Sequence, residues 1–201
     1  MPVTNSAAKS LARQRAATVG ALLTLAGCGG GSVSDPPLNG TQVLAFAYFQ
    51  RCVDPIFLKP LQITLNGVTV MNTCAASACH NNATGAGGAF RIIPTAQSID
   101  VTNPANTPDV IRASDMYKNF LSAQGETVIG SPGQSLLLRK PLLEGIFHGG
   151  GQIFVNSQDA NVKLMQYWIG NPAPQGQDEF STATYSMFTP ADPNLGTCNS
   201  N

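Results

Sequence analysis

Two thiols and an imidazole fall within seven residues: Cys74-Ala75-Ala76-Ser77-Ala78-Cys79-His80. A pair of thiols can add across the two vinyl groups of a haem. A histidine directly after the second thiol then brings its imidazole to the iron, and the usual spacing for this is C-x-x-C-H. Here four residues separate Cys74 from Cys79. Five steps along a regular helix rotate the second thiol well away from the first, so the segment must loop or bulge for both to reach one porphyrin edge. The small side chains of Ala75, Ala76, Ser77 and Ala78 suit a chain lying against a flat macrocycle. The same residues admit two other chemistries. One is a local Cys74–Cys79 disulfide; the other is a metal such as zinc, for which His148 would have to complete the set.

The chain has only two histidines. With His80 as proximal ligand, His148 is the first choice for the other axial position, because Gly149, Gly150 and Gly151 after it let backbone approach a flat cofactor closely. Methionine is the rival and would raise the reduction potential. Met165 falls on the buried stripe of a predicted helix, Met116 within another, Met71 in a predicted hairpin and Met187 in the tail. An open or water-filled sixth position is the third alternative. Arg91, Arg112, Arg139 and Lys140 are candidates to meet haem propionates, with surface solvation the plainer reading for each. Trp168 and Tyr167 could edge the haem, although core packing suits Trp168 better.

The amino terminus carries a different chemistry. Lys9, Arg13 and Arg15 form a basic region without acids, an apolar stretch follows from Ala16 to Ala26, and Leu25-Ala26-Gly27-Cys28 closes it. This pattern reads as a secretion signal over residues 1–27. It resembles the lipobox of bacterial lipoproteins, which implies cleavage before Cys28 and lipidation of that thiol. Acyl chains anchor by burying methylene groups, about 0.8 kcal/mol each. Gly29 after the cysteine is not the Asp of an inner-membrane retention signal, so the resemblance implies the outer membrane, on its periplasmic or cell-surface side. Residues 28–40, rich in Gly, Ser and Pro, read as a flexible tether. The mature chain would lie where disulfides persist.

The 201 residues carry 11 basic and 11 acidic side chains, and only 11% are charged. A basic footprint for nucleic acid is absent. With 43% hydrophobic residues, a packed core is expected. Helical spacing is predicted over 41–57, ended or kinked by Pro55. Alternating residues 61–65 and 68–71 flank Asn66-Gly67, a two-residue hairpin turn. Further helices are predicted over 107–123 from a Thr-Pro-Asp start, over 135–143, and from Asn156 or Ser157 to Gly170. No Ser-His-Asp order, phosphate loop or paired-carboxylate motif is present.

From the cysteine segment outward, residues 45–172 resemble a monohaem c-type cytochrome domain of bacterial envelope proteins. Tyr48-Phe49, Pro55-Ile56-Phe57, Cys79-His80, Ser131-Pro132-Gly133-Gln134-Ser135-Leu136-Leu137-Leu138-Arg139-Lys140, His148-Gly149-Gly150-Gly151 and Trp168-Ile169 carry the resemblance in that order. It departs in the wider cysteine spacing and in the hairpin before it. The resemblance implies a mainly α, cytochrome c-like domain over 41–172 with long irregular loops and a small β-hairpin insertion, the tail 173–201 packing on it. It also implies one covalent haem c, held by Cys74, Cys79 and His80, and a lipid-anchored electron carrier rather than a catalyst. Its partner would be a redox protein of the envelope. With Cys28 assigned to lipid and two thiols to haem, Cys52 and Cys198 remain for one disulfide; Cys52–Cys74 is the competing pairing. The alternative function is a haem-free, disulfide-stapled envelope lipoprotein with a structural or binding role. A haem sensor is a third, if the sixth position is open. Without haem, residues 74–93 are expected to be poorly ordered.

Overall fold

The computed structural model describes residues 42–65 and 68–201, the side chain of Leu65 excepted. The signal 1–27, Cys28 and the tether 28–40 lie outside the described residues.

The first helical segment does not break at its proline. α1 (Phe46–Tyr48) runs into a π-helical stretch, Phe49–Val53, and on into α2 (Asp54–Leu58). Pro55 has no N–H for the Arg51 carbonyl, and in a regular helix its ring would press on that turn. The chain widens just before it, the Asp54 amide donating five residues back to Phe49. Pro55 then stands in the first turn of α2, where a missing donor costs nothing. Widening lets Phe49, Gln50, Cys52 and Val53 all be buried.

β1 (Leu61–Leu65) and β2 (Val68–Asn72) form an antiparallel hairpin with Ile63 opposite Val70. A long irregular segment follows, and two buried amide side chains pin it. Gln50 Nε2 donates to the Ile99 carbonyl at 2.8 Å while its Oε1 accepts from the Ile99 amide at 3.0 Å. Asn119 does the same for Ile93, at 3.1 and 2.7 Å. Each supplies the paired bonds a neighbouring strand would have given.

The helix expected over 107–123 is two. α3 (Pro108–Arg112) stops, and Ser114 accepts from the Tyr117 amide to cap α4 (Asp115–Gln124). α5 (Leu136–Leu142) ends on Leu143 in the left-handed region, φ 57°. α6 (Ala160–Gly170) is capped by Asp159, not by Asn156 or Ser157. The core is an aromatic cluster where these elements meet. Trp168 of α6 packs on Phe49 at 5.2 Å and Phe120 at 6.1 Å between ring centroids, and its indole N–H donates to the Ala45 carbonyl at 3.0 Å.

The tail is more structured than its composition suggested. A 3-10 turn (Thr182–Met187) leads to β3 (Phe188–Thr189), which pairs antiparallel with β4 (Thr197–Cys198). Cys198 is bonded to Cys52, tying β4 to the π-helical stretch across 146 residues. Glu179 is buried and holds the tail to α3 and α4, accepting from Arg112 at 2.9 Å and from the Tyr117 hydroxyl at 2.7 Å. The described residues thus hold six short helices and two small antiparallel strand pairs. The expected mainly α class is corrected to a mixed one. Capping at Ser114 shortens the helices, and much of the chain is pinned by side-chain bonds instead of regular ladders.

Candidate functional site

Residues 74–80 form a closed loop. The Cys79 amide donates to the Ala76 carbonyl at 2.9 Å, and the His80 amide reaches back to the Cys74 carbonyl at 2.9 Å. Ser77 and Ala78 are exposed, Ala78 at the edge of the cavity. The four intervening residues are taken up by the bulge, and Cys74 lies beside the Cys79–His80 step. The Ala75 amide anchors the loop to the end of α2 through the Phe57 carbonyl, at 3.1 Å. Cys74 and Cys79 are free thiols, bonded neither to each other nor to Cys52. Burial, with the neighbouring Cys79, pushes the Cys74 thiol up to about 12, and burial raises Cys79 as well.

His80 and His148, 68 positions apart in sequence, are brought close together with their rings nearly parallel. Their ring centroids are 6.2 Å apart and their planes lie within 8° of parallel. Each Nδ1 is engaged by backbone. His80 Nδ1 pairs with the Phe90 carbonyl at 3.0 Å and His148 Nδ1 with the Gly151 carbonyl at 2.7 Å. A carbonyl only accepts, so each Nδ1 carries the proton and each Nε2 keeps its lone pair. That is the tautomer a metal-bound imidazole adopts. A metal–nitrogen bond is about 2 Å and the ring centroid lies about 1.1 Å further on, so two imidazoles on opposite sides of one ion would have centroids about 6.2 Å apart. Rings of this size in face contact would sit closer, near the 3.5–4.0 Å optimum for carbon atoms. Desolvation lowers the His80 pKa, opposed by the Phe90 carbonyl and aided by the neighbouring charges of His148, Arg91 and Lys140. The neutral, coordinating form is therefore favoured.

Both histidines border a cavity of about 580 Å³, together with Cys74 and Cys79. Phe57, Ile63, Phe90, Leu137, Phe154 and Met165 give it apolar walls. A site of this size, largely apolar with a few polar groups, is typical of a cofactor pocket. Gly87 passes so close beneath His80 that a Cβ there would lie 2.5 Å from the ring atoms Cε1 and Nδ1. The loop after α5 that carries His148 is braced on two sides. Ile153 and Phe154 donate to the Pro141 carbonyl at 2.8 and 3.2 Å, and Gln152 bridges to Thr64 of β1. The hairpin thereby forms one wall of the cavity, with Ile63 and Val70 lining it.

The other candidates separate. Met165 lines the same cavity and is buried. Met116 is buried in the core, Met187 is buried at the tail and Met71 is 65% exposed. Of the four cations, Lys140 lines the cavity, 3.6 Å from Glu126, which also lines it. Arg112 is occupied by Glu179 and lies over the Phe180 ring, Arg139 donates to the Glu144 carbonyl, and Arg91 donates to the Gly85 carbonyl. Trp168 is a core residue. Among the described residues no three His, Cys, Asp or Glu side chains are grouped so that they could hold a metal ion. Sequence reasoning missed the Phe90 and Gly151 carbonyls and the Glu126–Lys140 pair. Backbone acceptors leave no mark in residue type.

No helix among the described residues is long and apolar enough to cross a membrane. No protein-family model, curated protein or solved structure matches this chain.

Proposed function

We propose that the protein is a c-type cytochrome, anchored by lipid at Cys28, that transfers single electrons through one covalently bound haem. The observation that carries this reading is the nearly parallel pair His80 and His148, with both Nδ1 atoms committed to carbonyls, beside two free thiols and an apolar cavity. In this reading Cys74 and Cys79 would hold the haem as thioethers, and His80 and His148 would be the residues that ligate its iron. When bound, the haem iron supplies a one-electron couple. The chain's own residues orient the imidazoles, exclude water with Phe57, Phe90, Phe154 and Leu137, and offer Lys140 to a propionate. Met165 is the alternative sixth ligand, and the ring geometry favours His148. The domain is then a cytochrome c-like one in which α2, α5 and α6 line the haem cavity and the hairpin forms a further wall. The redox partner is another envelope protein, the membrane contact is the lipid, and the setting is the outer membrane.

The rival is a haem-free lipoprotein stapled by Cys52–Cys198. That bond serves either reading, whereas the paired imidazoles have no role in the second. The test is intact-mass measurement under denaturing conditions after expression with a cytochrome c maturation system. One haem added to the chain, lost in Cys74→Ala/Cys79→Ala, is the expected result; a wild-type mass without haem overturns the reading.

A further inference from the structure

We propose that Ser122 and Asn119 of α4 are positioning residues for His80, acting through the segment Phe90–Ile93 to set the hydrogen bond on its Nδ1. The inference rests on the haem reading. It assigns control of the iron's potential to two side chains that touch neither the imidazole nor the cavity.

Residues 90–93 behave as a single strand between two unlike neighbours. In extended chain, successive residues turn to opposite sides. Toward the haem loop, the Phe90 carbonyl accepts from His80 Nδ1 at 3.0 Å, the Ile92 amide donates to the His80 carbonyl at 2.7 Å, and the Ile92 carbonyl accepts from the Asn82 amide at 2.8 Å. Toward α4, the Arg91 amide donates to Ser122 Oγ at 2.6 Å and the Ile93 amide to Asn119 Oδ1 at 2.7 Å, while Asn119 Nδ2 returns a bond to the Ile93 carbonyl at 3.1 Å. Asn119 and Ser122 are three residues apart and so share one face of the helix. Asn119 is 1% exposed and is itself fixed by Asp54 Oδ1 at 3.0 Å. The Phe90 carbonyl therefore cannot move relative to His80 without disturbing the bonds at Arg91 and Ile93. Arg91 adds a further tie, its guanidinium donating at 2.6 Å to the Gly85 carbonyl, in the loop that carries Gly87 under the His80 ring.

A hydrogen bond on the outer nitrogen of a ligating histidine fixes its ring and raises its basicity. A more basic axial ligand favours the ferric state and lowers the potential. Loosening the α4 side of the strap weakens that bond, and the potential rises.

The full chain, matured with haem, is compared as wild type, Ser122→Ala, Ser122→Thr, Asn119→Ala and the surface control Lys118→Ala. Alanine is a better helix former than serine, so Ser122→Ala leaves α4 intact. Spectroelectrochemistry of Ser122→Ala should show the ferrous-to-ferric ratio at fixed potential shifted threefold to tenfold toward ferrous, about 30–60 mV. Its low-spin electron paramagnetic resonance signal should broaden as the His80 ring gains freedom. Ser122→Thr, which keeps the acceptor, restores both readouts, and Lys118→Ala changes neither. Asn119→Ala shifts the potential in the same direction if it folds; the Ser122 pair decides the matter if it does not. A wild-type potential and signal in Ser122→Ala overturns the inference and leaves the haem reading standing. Wild-type protein that carries no haem overturns both.

Discussion

At the residue scale, most of the site's chemistry resides in how two imidazoles are held. Because His80 and His148 lie within 8° of parallel, the ferric protein should give a rhombic low-spin resonance signal, not the large-anisotropy signal of crossed rings. His148→Ala should abolish the six-coordinate spectrum, and carbon monoxide should then bind the reduced protein; an unchanged spectrum would transfer the ligand role to Met165. Gly87→Ala should cut haem incorporation at least tenfold, since its Cβ would fall 2.5 Å from the His80 ring. Normal haem yield in that variant would show that the loop yields easily. Asp54 makes a separate prediction. It is 2% exposed, and burial, partly offset by its bond from Asn119, raises its pKa from 3.8 to about 6. The folded state thus holds a proton that the unfolded state has released, and stability falls as pH rises from about 4 to about 6. The loss from this group approaches about 3 kcal/mol above that window. Asp54→Asn should therefore be more stable than wild type at pH 8, and the gain should vanish near pH 4. Melting curves at the two pH values measure it.

At the scale of elements, the local signals that were legible were those with one physical cause. Asn66-Gly67 marked the hairpin, Thr107-Pro108 marked a helix start, and the Cys74–His80 spacing required a loop. Some misses are local choices between competing caps, and the others come from contacts distant in sequence. Nothing local distinguishes Ser114 as a cap from a serine inside a helix. The π-helical stretch answers both to Pro55 and to burial of Phe49, Gln50, Cys52 and Val53 against α4 and α6. Polar residues in the tail gave no hint that Glu179 would be buried between Arg112 and Tyr117. The Cys52–Cys198 bond joins two of these elements. Closing so long a segment restricts the unfolded chain by up to about 5 kcal/mol on the entropy model. Cys198→Ser should lower the melting temperature markedly while leaving the haem spectrum in place, because Cys52 and Cys198 do not line the cavity. Loss of the haem spectrum at a temperature where the fold persists would contradict that separation.

At the scale of the whole molecule, charge and processing change together. If residues 1–27 are removed as the proposed signal, Lys9, Arg13 and Arg15 leave the 11 basic residues, and 8 stand against 11 acidic, a side-chain net of −3. A mildly acidic chain is not drawn to anionic membranes or nucleic acid by its field. Under the lipid-anchor proposal membrane association would depend on Cys28, and Cys28→Ser should move the protein from the membrane fraction to the soluble one. The most direct test of the haem reading is a pyridine haemochrome spectrum of the chain matured in a cytochrome c-producing cell and then denatured. One haem per chain, retained through denaturation and giving the thioether-type spectrum, is the predicted result. A denatured chain that retains no haem would contradict it.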